Sequence, residues 1–277
     1  MPTATGPSGR VVGASLSAPF TELGGEAERI GLKLSQAQLA LCERYAHELI
    51  ERNASINLTA ITEPSDIARK HFLDSFTAIA ARAWTGRERV IDVGSGAGFP
   101  GLALRIALPH LAVTCVESVG KKARFLDEVS VLLGLRGVEV RNGRAEDLAH
   151  ERGQRSSYDV ATARAVGSLG ACAEYMLPLL RVGGDAIVWK GRIDAELAGA
   201  ERALAAIGGE ITAVVPTASL GVGDVLPGRQ LVVMRKTRAT PDRYPRTSAE
   251  ARRRPWGPST ERVARGSQAP LGGPTDV

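Results

Sequence analysis

The chain has 277 residues, of which 44% are hydrophobic and 23% charged, and its formal net charge is +5. It is long enough for one large domain or one domain with appendages, and no apolar run reaches the length that crosses a bilayer. The three cysteines lie far apart and no Cys/His spacing fits zinc, which excludes a disulfide framework and predicts no metal. No export signal is recognisable, so we expect a cytoplasmic protein that does not associate with membranes.

The first predicted elements are an N-terminal extension and a helical region. Residues 1–22 are rich in Gly, Ala, Ser, Thr and Pro, and we predict that they are disordered. Residues 23–85 form the predicted helical region, in which Ser35 and Gln38 resemble a capping box at a helix start. Apolar residues then recur at three- and four-residue steps, and a second helix is predicted to begin at Pro64.

Residues 86–236 are predicted to form the main domain, because strand and helix patterns alternate along them. The predicted strands are 89–93, 111–117, 137–141, 158–163, 184–190, 210–215 and 229–236, and the predicted helices are 99–108, 121–134, 168–180 and 193–206. Alternation of this kind is typical of a parallel sheet with helices on both faces. The last two strands lack a helix between them, so we expect an antiparallel pair. The predicted fold is therefore α/β and Rossmann-like, with a seven-stranded, mostly parallel sheet.

Residues 237–277 are predicted to be a disordered tail. They contain six prolines, eight arginines and four acidic residues, a net charge of +4, which leaves only +1 for residues 1–236. Two interpretations stay open for this tail: it attracts RNA phosphates through arginines such as Arg252–Arg254, or it is a solvated extension without function.

The segment Val90–Gly101 carries the strongest functional pattern in the chain. An apolar strand ends in an acid, and Gly94, Gly96 and Gly98 follow at every second position before a helix begins. Glycines permit positive φ and let a ligand approach the backbone, and the helix directs its positive end at that ligand. We therefore expect a cofactor-binding loop at this position.

Three further features favour S-adenosylmethionine (SAM) over NAD as the cofactor. Glu117 ends the second strand, where a carboxylate accepts both ribose hydroxyls. Asp92 precedes the glycines, where SAM enzymes place an acid near the cofactor's ammonium group. The run Arg144–Asp147 follows the third strand, beside the expected adenine. The alternatives are a helix-capping acid for Glu117 and a solvated loop for residues 146 and 147.

An NAD-binding interpretation rests on a second register of the same loop. Gly96–Gly101 matches the dinucleotide pattern G-x-G-x-x-G. Counted from Gly94, where the strand ends, the pattern fails because Phe99 occupies the place of the third glycine. This register favours SAM.

Several motifs in order resemble one known family, the bacterial 16S ribosomal RNA guanine-N7 methyltransferases, called RsmG or GidB. The motifs are Asn57–Ile61, His71–Ser75, Gly98–Gly101, Glu117–Lys122, Arg164–Ala165 and Val188–Gly191. The resemblance covers about residues 35–236 and departs from the family at Arg52–Asn53, where relatives often show Trp-Asn. It implies methyl transfer from SAM to N7 of a guanine in 16S rRNA, with the small ribosomal subunit as partner. We expect a monomeric enzyme.

The resemblance also assigns cofactor-binding positions. It implies that Glu117 contacts the ribose, and that Arg164 lies in the cofactor pocket. The remaining expected cofactor residues are the loop positions Gly94, Gly96, Gly98 and Phe99, and the adenine-side positions Ala145 and Glu146.

Methylation of guanine N7 requires no general base, because this nitrogen has an in-plane lone pair and no proton. We therefore expect direct in-line transfer and no catalytic acid or base. Candidate substrate contacts are Lys190 and Arg144, toward guanine O6 or phosphate, and His71, Asp74 and Asn57 as an RNA-facing rim. The alternatives are a snorkelling Lys190, a solvated Arg144 and a local polar pair of His71 with Asp74.

Two other functions stay open on the sequence alone. One is an NAD-dependent oxidoreductase, although Tyr158 and Tyr175 form no Tyr-x-x-x-Lys pattern. The other is a non-catalytic binding module for ribosome assembly that retains the cofactor loop. The intact loop glycines and Glu117 argue against that module.

Overall fold

The computed structural model describes residues 16–257 of the chain. Its centre is a seven-stranded sheet with the order β3-β2-β1-β4-β5-β7-β6. The strands are β1 (Arg89–Val93), β2 (Ala112–Glu117), β3 (Val138–Asn142), β4 (Tyr158–Arg164), β5 (Leu180–Lys190), β6 (Gly209–Pro216) and β7 (Gln230–Lys236). Strands β1 to β5 pair in parallel, whereas β7 is antiparallel to both β5 and β6. The predicted seven-stranded, mostly parallel sheet is confirmed.

Helices cover both faces of this sheet. They are α1 (Ala18–Arg29), α2 (Gln36–Ile56), α3 (Pro64–Ile67), α4 (Asp74–Ala81), α5 (Gly101–Ala107), α6 (Gly120–Leu132), α7 (Ala145–Leu148), α8 (Leu169–Met176), α9 (Asp194–Ile207) and α10 (Ser248–Arg253). A π-helical segment, Ala68–Leu73, joins α3 to α4, and a 3-10 helix, Thr217–Leu220, follows β6. One core lies between the sheet and α1, α2, α4, α5 and α6, and a second lies under α7, α8 and α9.

Helix α2 begins at the capping box that the sequence predicts. The Ser35 hydroxyl accepts from the Gln38 backbone N–H, and the Gln38 side chain accepts from the Ser35 backbone N–H. The Gln38 amide also donates to the carbonyls of Ile106 and Ala107 at 2.9 Å. The cap therefore joins α2 to the end of α5, behind the glycine loop.

The N-terminal prediction differs from the structure between residues 18 and 22. Helix α1 begins at Ala18 and buries Phe20, Leu23 and Ala27. The composition of α1 resembles that of the preceding extension because the helix contains several small residues. Three apolar positions at helical spacing are therefore not recognised as a helix in the sequence. The rest of the predicted disordered N-terminus, residues 1–15, lies outside the described residues.

The prediction of a disordered tail from residue 237 is wrong as far as residue 257. Arg246 pairs with Glu174 at 2.6 Å, and α10 follows with its own capping box between Thr247 and Glu250. The capping box is a local helix signal, but the composition of the segment is typical of disorder, and the contact with Glu174 on α8 stabilises the ordered segment. Residues 258–277 of the predicted tail lie outside the described residues.

Candidate cofactor site

The glycine loop follows β1 and turns sharply into α5. Gly94, Gly96 and Gly98 have φ values of 71°, 57° and 92°, a region that glycine enters without strain. A Cβ at Gly98 would overlap the Tyr45 hydroxyl, which donates to the Ala97 carbonyl at 2.5 Å. The last glycine therefore lets the loop lie directly on the side chain of Tyr45.

The Asp92 side chain forms hydrogen bonds inside the protein and is not among the residues that line the cavity. Its carboxylate is fully buried, accepts from the Thr162 hydroxyl at 2.8 Å and from the Gly101 backbone N–H at 3.1 Å. Burial raises the pKa of Asp92, while these hydrogen bonds oppose the shift. Asp92 thus fixes the start of α5, whereas the sequence pattern places it beside the cofactor's ammonium group.

Glu117 joins the ends of β1 and β2. One carboxylate oxygen accepts from the Gly96 N–H at 2.9 Å, and the other accepts from the Val119 N–H at 2.8 Å. A carboxylate oxygen accepts more than one hydrogen bond. Each oxygen therefore keeps acceptor capacity beside the glycine loop, and contact of Glu117 with the ribose hydroxyls stays a prediction.

A cavity opens at the carboxyl ends of β1, β2 and β3, next to Glu117. Its walls are Val93, Gly94, Val116, Ser118, Gly143, Arg144, Ala145, Glu146, Val166 and Tyr175. The structure brings the predicted Gly94, Ala145 and Glu146 together in these walls. Open α/β sheets bind ligands at the carboxyl ends of their strands, in the crevice where the strand order reverses.

Tyr175 is a cavity residue that sequence reasoning misses. It lies on α8, and burial raises the pKa of its hydroxyl, with the charges of Glu146 and Glu174 adding to the shift. The hydroxyl is therefore protonated at neutral pH. The sequence indicates only that α8 begins after β4, near the carboxyl edge of the sheet. No motif marks position 175 within the helix as a cavity residue.

Phe99 is buried in an aromatic stack outside the cavity walls. Its ring lies parallel to Tyr45 with centroids 5.1 Å apart and parallel to His71 with centroids 4.6 Å apart. The side chain therefore supports the loop from the α2 side. We call Tyr45, His71, Asp74, Phe99 and Arg164 the loop-supporting cluster.

Arg164 completes this cluster at the end of β4. Its guanidinium donates to Asp74 at 3.0 Å and to His71 Nδ1 at 3.1 Å. Burial lowers the pKa of His71 to about 3, and the charge of Arg164 adds to the shift. His71 is thus neutral, its Nδ1 accepts from Arg164, and its Nε2–H donates to the Thr59 hydroxyl at 2.9 Å.

The predicted RNA-facing rim is wrong for two of its three members. Asp74 is 0% exposed and His71 only 6%, because both turn inward to Arg164. Asn57 is exposed, at the left-handed C-cap of α2 with φ of 56°. The predicted rim is therefore reduced to Asn57, and the other two residues belong to the packing of the loop.

The two predicted cations differ in their surroundings. Lys190 donates to Glu196 at 2.8 Å and to the Gly167 carbonyl. Arg144 is exposed at the cavity and forms no ion pair with any carboxylate of residues 16–257. Of the two predicted cations, Arg144 is thus the one without an ion-pair partner among the described residues.

Other kinds of site find no support in the described part of the chain. No group of three or more His, Cys, Asp or Glu residues there has the geometry to hold a metal. Within residues 16–257 no helix combines the length and apolarity that a bilayer span needs. All three cysteines are buried, and burial raises the pKa of each thiol.

The sheet order, the glycine loop and the carboxylate at the end of β2 together define a class I SAM-dependent methyltransferase. A family model described as rRNA small subunit methyltransferase G, or GidB, matches residues 38–221. The chain belongs to this family. Its membership rules against the NAD-dependent oxidoreductase that the second glycine register left open.

Individual relatives agree with this assignment. Ribosomal RNA small subunit methyltransferase G of Exiguobacterium is 42% identical over 230 residues, which cover 81% of this chain and 94% of that protein. The protein of the same name from Chloroflexus aggregans is 45% identical over 230 residues, 81% of this chain and 93% of its own. A solved branched-chain polyamine synthase variant from Thermus thermophilus shares the fold, with TM-score 0.52, 18% identity and coverage of 72% and 64% of the two chains.

Proposed function

We propose that the enzyme transfers the methyl group of SAM to N7 of a guanine in the 16S rRNA of the small ribosomal subunit. Its relatives are named for methylation of small-subunit rRNA. One observation supports the choice of N7 as the methylated atom. The side chains of His71, Asp74 and Lys190 are all engaged in contacts within the protein. None of these three is free to remove a proton, and N7 of guanine has none to remove.

The residues of the cavity fit SAM. Val116, Ala145 and Tyr175 supply apolar walls for adenine. Glu117 offers carboxylate oxygens for the ribose hydroxyls, while the glycine loop exposes backbone to the methionine portion. When bound, SAM supplies a methyl group activated by its sulfonium. We assign Arg164 to the loop-supporting cluster, so that it acts on the cofactor through Phe99 and the loop.

The chain's own contribution to the reaction is then alignment. Positioning of two reactants in a near-attack geometry lowers a barrier by roughly 7–11 kcal/mol. The three thiols have raised pKa values, that of Cys172 reaching about 11. A cysteine nucleophile for a ring carbon is therefore absent at neutral pH, which agrees with direct transfer to a nitrogen.

Arg144 is the proposed first contact of the substrate at the cavity mouth. A bidentate grip on O6 and N7, common for arginine and guanine, would block the attacking nitrogen. Arg144 therefore binds O6 or a flanking phosphate, and Lys190 orders the loop at Gly167 through its contact there. Exposed Asn57 remains a candidate for contact with RNA. The enzyme is proposed to act as a monomer in the cytoplasm on an exposed or flipped guanine.

Labelled SAM and small subunits that lack the modification test this function. We expect label in one guanine of 16S rRNA, at a position cleaved after the alkali treatment specific for 7-methylguanine. Label on an exocyclic amine or a ring carbon would overturn the choice of N7. SAM binding without any methyl transfer to subunits or rRNA would favour the non-catalytic assembly module instead.

A further inference from the structure

The C-terminal segment, residues 238–257, is attached to the methyltransferase domain although it lies beyond residue 221, where the family match ends. Its attachment begins at Arg155, whose guanidinium donates to the carbonyls of Thr240, Pro241 and Tyr244. His150 Nε2 lies 3.0 Å from the Pro245 carbonyl. The segment therefore begins against the loop between α7 and β4, which contains both residues.

A buried ion pair fixes the middle of the C-terminal segment. Glu174 on α8 is 1% exposed, and its oxygens accept from the backbone and side chain of Arg246 and from the indole N–H of Trp256. The Arg246 guanidinium also lies over the Trp256 ring at 4.5 Å. A carboxylate buried this deeply needs such partners, so α8 is built to receive the segment.

Two glycines leave the space in which Trp256 lies. A Cβ on Gly170 of α8 would approach the Trp256 Cβ to 2.5 Å, and a Cβ on Gly199 of α9 would overlap the Trp256 carbonyl. Neither glycine has a positive φ, so backbone conformation does not explain them. Close approach of the C-terminal segment does.

Helix α10 is thereby held at the rim of the cofactor cavity. The Ser248 hydroxyl donates to Glu146 at 2.8 Å, and Glu146 lines the cavity. The helix rises about 1.5 Å per residue, so Arg253 lies roughly 8 Å along its axis from Ser248. Helices α7 and α8 both begin at the carboxyl ends of strands, the edge at which the substrate base has to enter.

A basic groove lies on the C-terminal segment, lined by Arg243, Tyr244, Arg246, Glu250, Arg253 and Arg254. Arg246 is paired with Glu174, and Glu250 is engaged by Thr247 in the capping box. Arg243, Arg253 and Arg254 form no ion pair with carboxylates of the described chain, and all three are exposed. The groove therefore presents to solvent three guanidinium groups without an ion-pair partner in that part of the chain, against one groove carboxylate, Glu250. Hydrogen bonds with Thr247 lower the pKa of this carboxylate, and the charge of Arg253 adds to the shift.

We propose that this basic groove binds phosphates of the RNA strand that flanks the methylated base, which rests on the proposed function. Guanidinium groups bind phosphate oxygens bidentately, and phosphate contacts position a protein without reading sequence. The hydrogen bonds of Arg155 and Glu174 attach the segment to the domain that forms the cofactor cavity. Phosphate binding in the groove therefore sets where the target guanine meets the cavity.

The test compares two charge-matched double variants of the full chain. Arg253→Gln/Arg254→Gln alters the groove, and Arg87→Gln/Arg136→Gln removes two exposed arginines before β1 and β3, at the opposite edge of the sheet. Binding to unmethylated small subunits and to naked 16S rRNA is measured over a range of salt concentrations. Loss of two single-strand phosphate contacts should lower the log–log salt slope by about 1.4 and weaken binding roughly fivefold or more.

The outcomes separate this proposal from the proposed function. We expect the groove variant alone to lose RNA affinity, with unchanged SAM affinity in both variants. Equal RNA affinity and slope in the two variants, with a wild type that methylates subunits, would overturn the groove and leave the function intact. Loss of SAM affinity in the groove variant without a change in salt slope would also overturn it. A wild type that transfers no methyl group contradicts the proposed function itself.

Discussion

Two groups of residues at the same edge of the sheet have opposite characters. The cofactor rim, Gly94, Gly96, Glu117, Ala145 and Glu146, lines or borders an open cavity and offers backbone and carboxylate groups. The loop-supporting cluster is buried and uses its polar groups internally. Residues that a family pattern joins as one site thus divide into those at the open cavity and those that support the glycine loop.

The division has an energetic reason. The three glycines give the loop backbone a large conformational freedom. Contacts with neighbouring side chains have to restrict that freedom in the folded protein. Tyr45 and His71 enclose Phe99, and the Arg164–Asp74 pair closes the cluster. The Asp74 Oδ1 atom has no hydrogen-bond partner in the structure as described, and the Arg229 Nε lies 4.0 Å away. The buried carboxylate therefore depends on Arg164.

We expect the largest loss of stability for Arg164→Ala, which tests the role of the loop-supporting cluster. It leaves the buried Asp74 carboxylate with only the Arg229 Nε, 4.0 Å away, as a cationic neighbour in the described chain, which should cost about 3–5 kcal/mol of unfolding free energy. The control is Arg181→Ala, which removes an Arg–Asp pair whose arginine side chain is 62% exposed and should cost no more than about 1 kcal/mol. Urea unfolding measures both. Equal small losses would contradict a structural role for the loop-supporting cluster.

A second, smaller effect is expected at the cofactor rim for Gly96→Asp. The new side chain would start next to the Glu117 carboxylate, which accepts from the Gly96 N–H at 2.9 Å, and juxtaposed like charges cost several kcal/mol. SAM affinity measured by calorimetry should fall roughly 100-fold or more. Gly86→Asp is the matched control, because Gly86 also has positive φ and open space around it. Similar SAM affinity in the two variants would refute the assigned cavity.

The smallest effect concerns acid stability and His71. Its pKa falls from an ordinary value of 6.5 to about 3 on folding, so the unfolded chain binds a proton in this pH window that the folded chain does not. Stability therefore decreases as pH falls below 6.5, by about 1.4 kcal/mol per pH unit from this group. At pH 5 the loss is about 2 kcal/mol.

Replacement of His71 by Gln should flatten that part of the pH profile. His47→Gln serves as the control, because His47 lies on the exposed side of α2. Unfolding free energies measured from pH 5 to 8 should show the flatter profile for the first variant alone. Identical slopes in both variants would show that His71 is accessible to protons in the folded state.

The parts of the fold that the sequence predicts depend on local periodicity. All seven strands and the capping box of α2 are found where the pattern places them, because neighbours along a strand or helix determine those patterns. Helices α1 and α10 are missed, since their composition resembles that of disordered segments. Contacts with distant elements stabilise both.

The sequence by itself determines the order of elements, the glycine loop and the family, because each depends on residues within a few positions of one another. Tertiary structure alone decides which way side chains turn. Asp74 meets Arg164 across 90 residues and Ser248 meets Glu146 across 102. Periodicity shows that a helix has two faces, but only the packing of the sheet determines that His71 and Asp74 face inward and that Arg253 faces solvent.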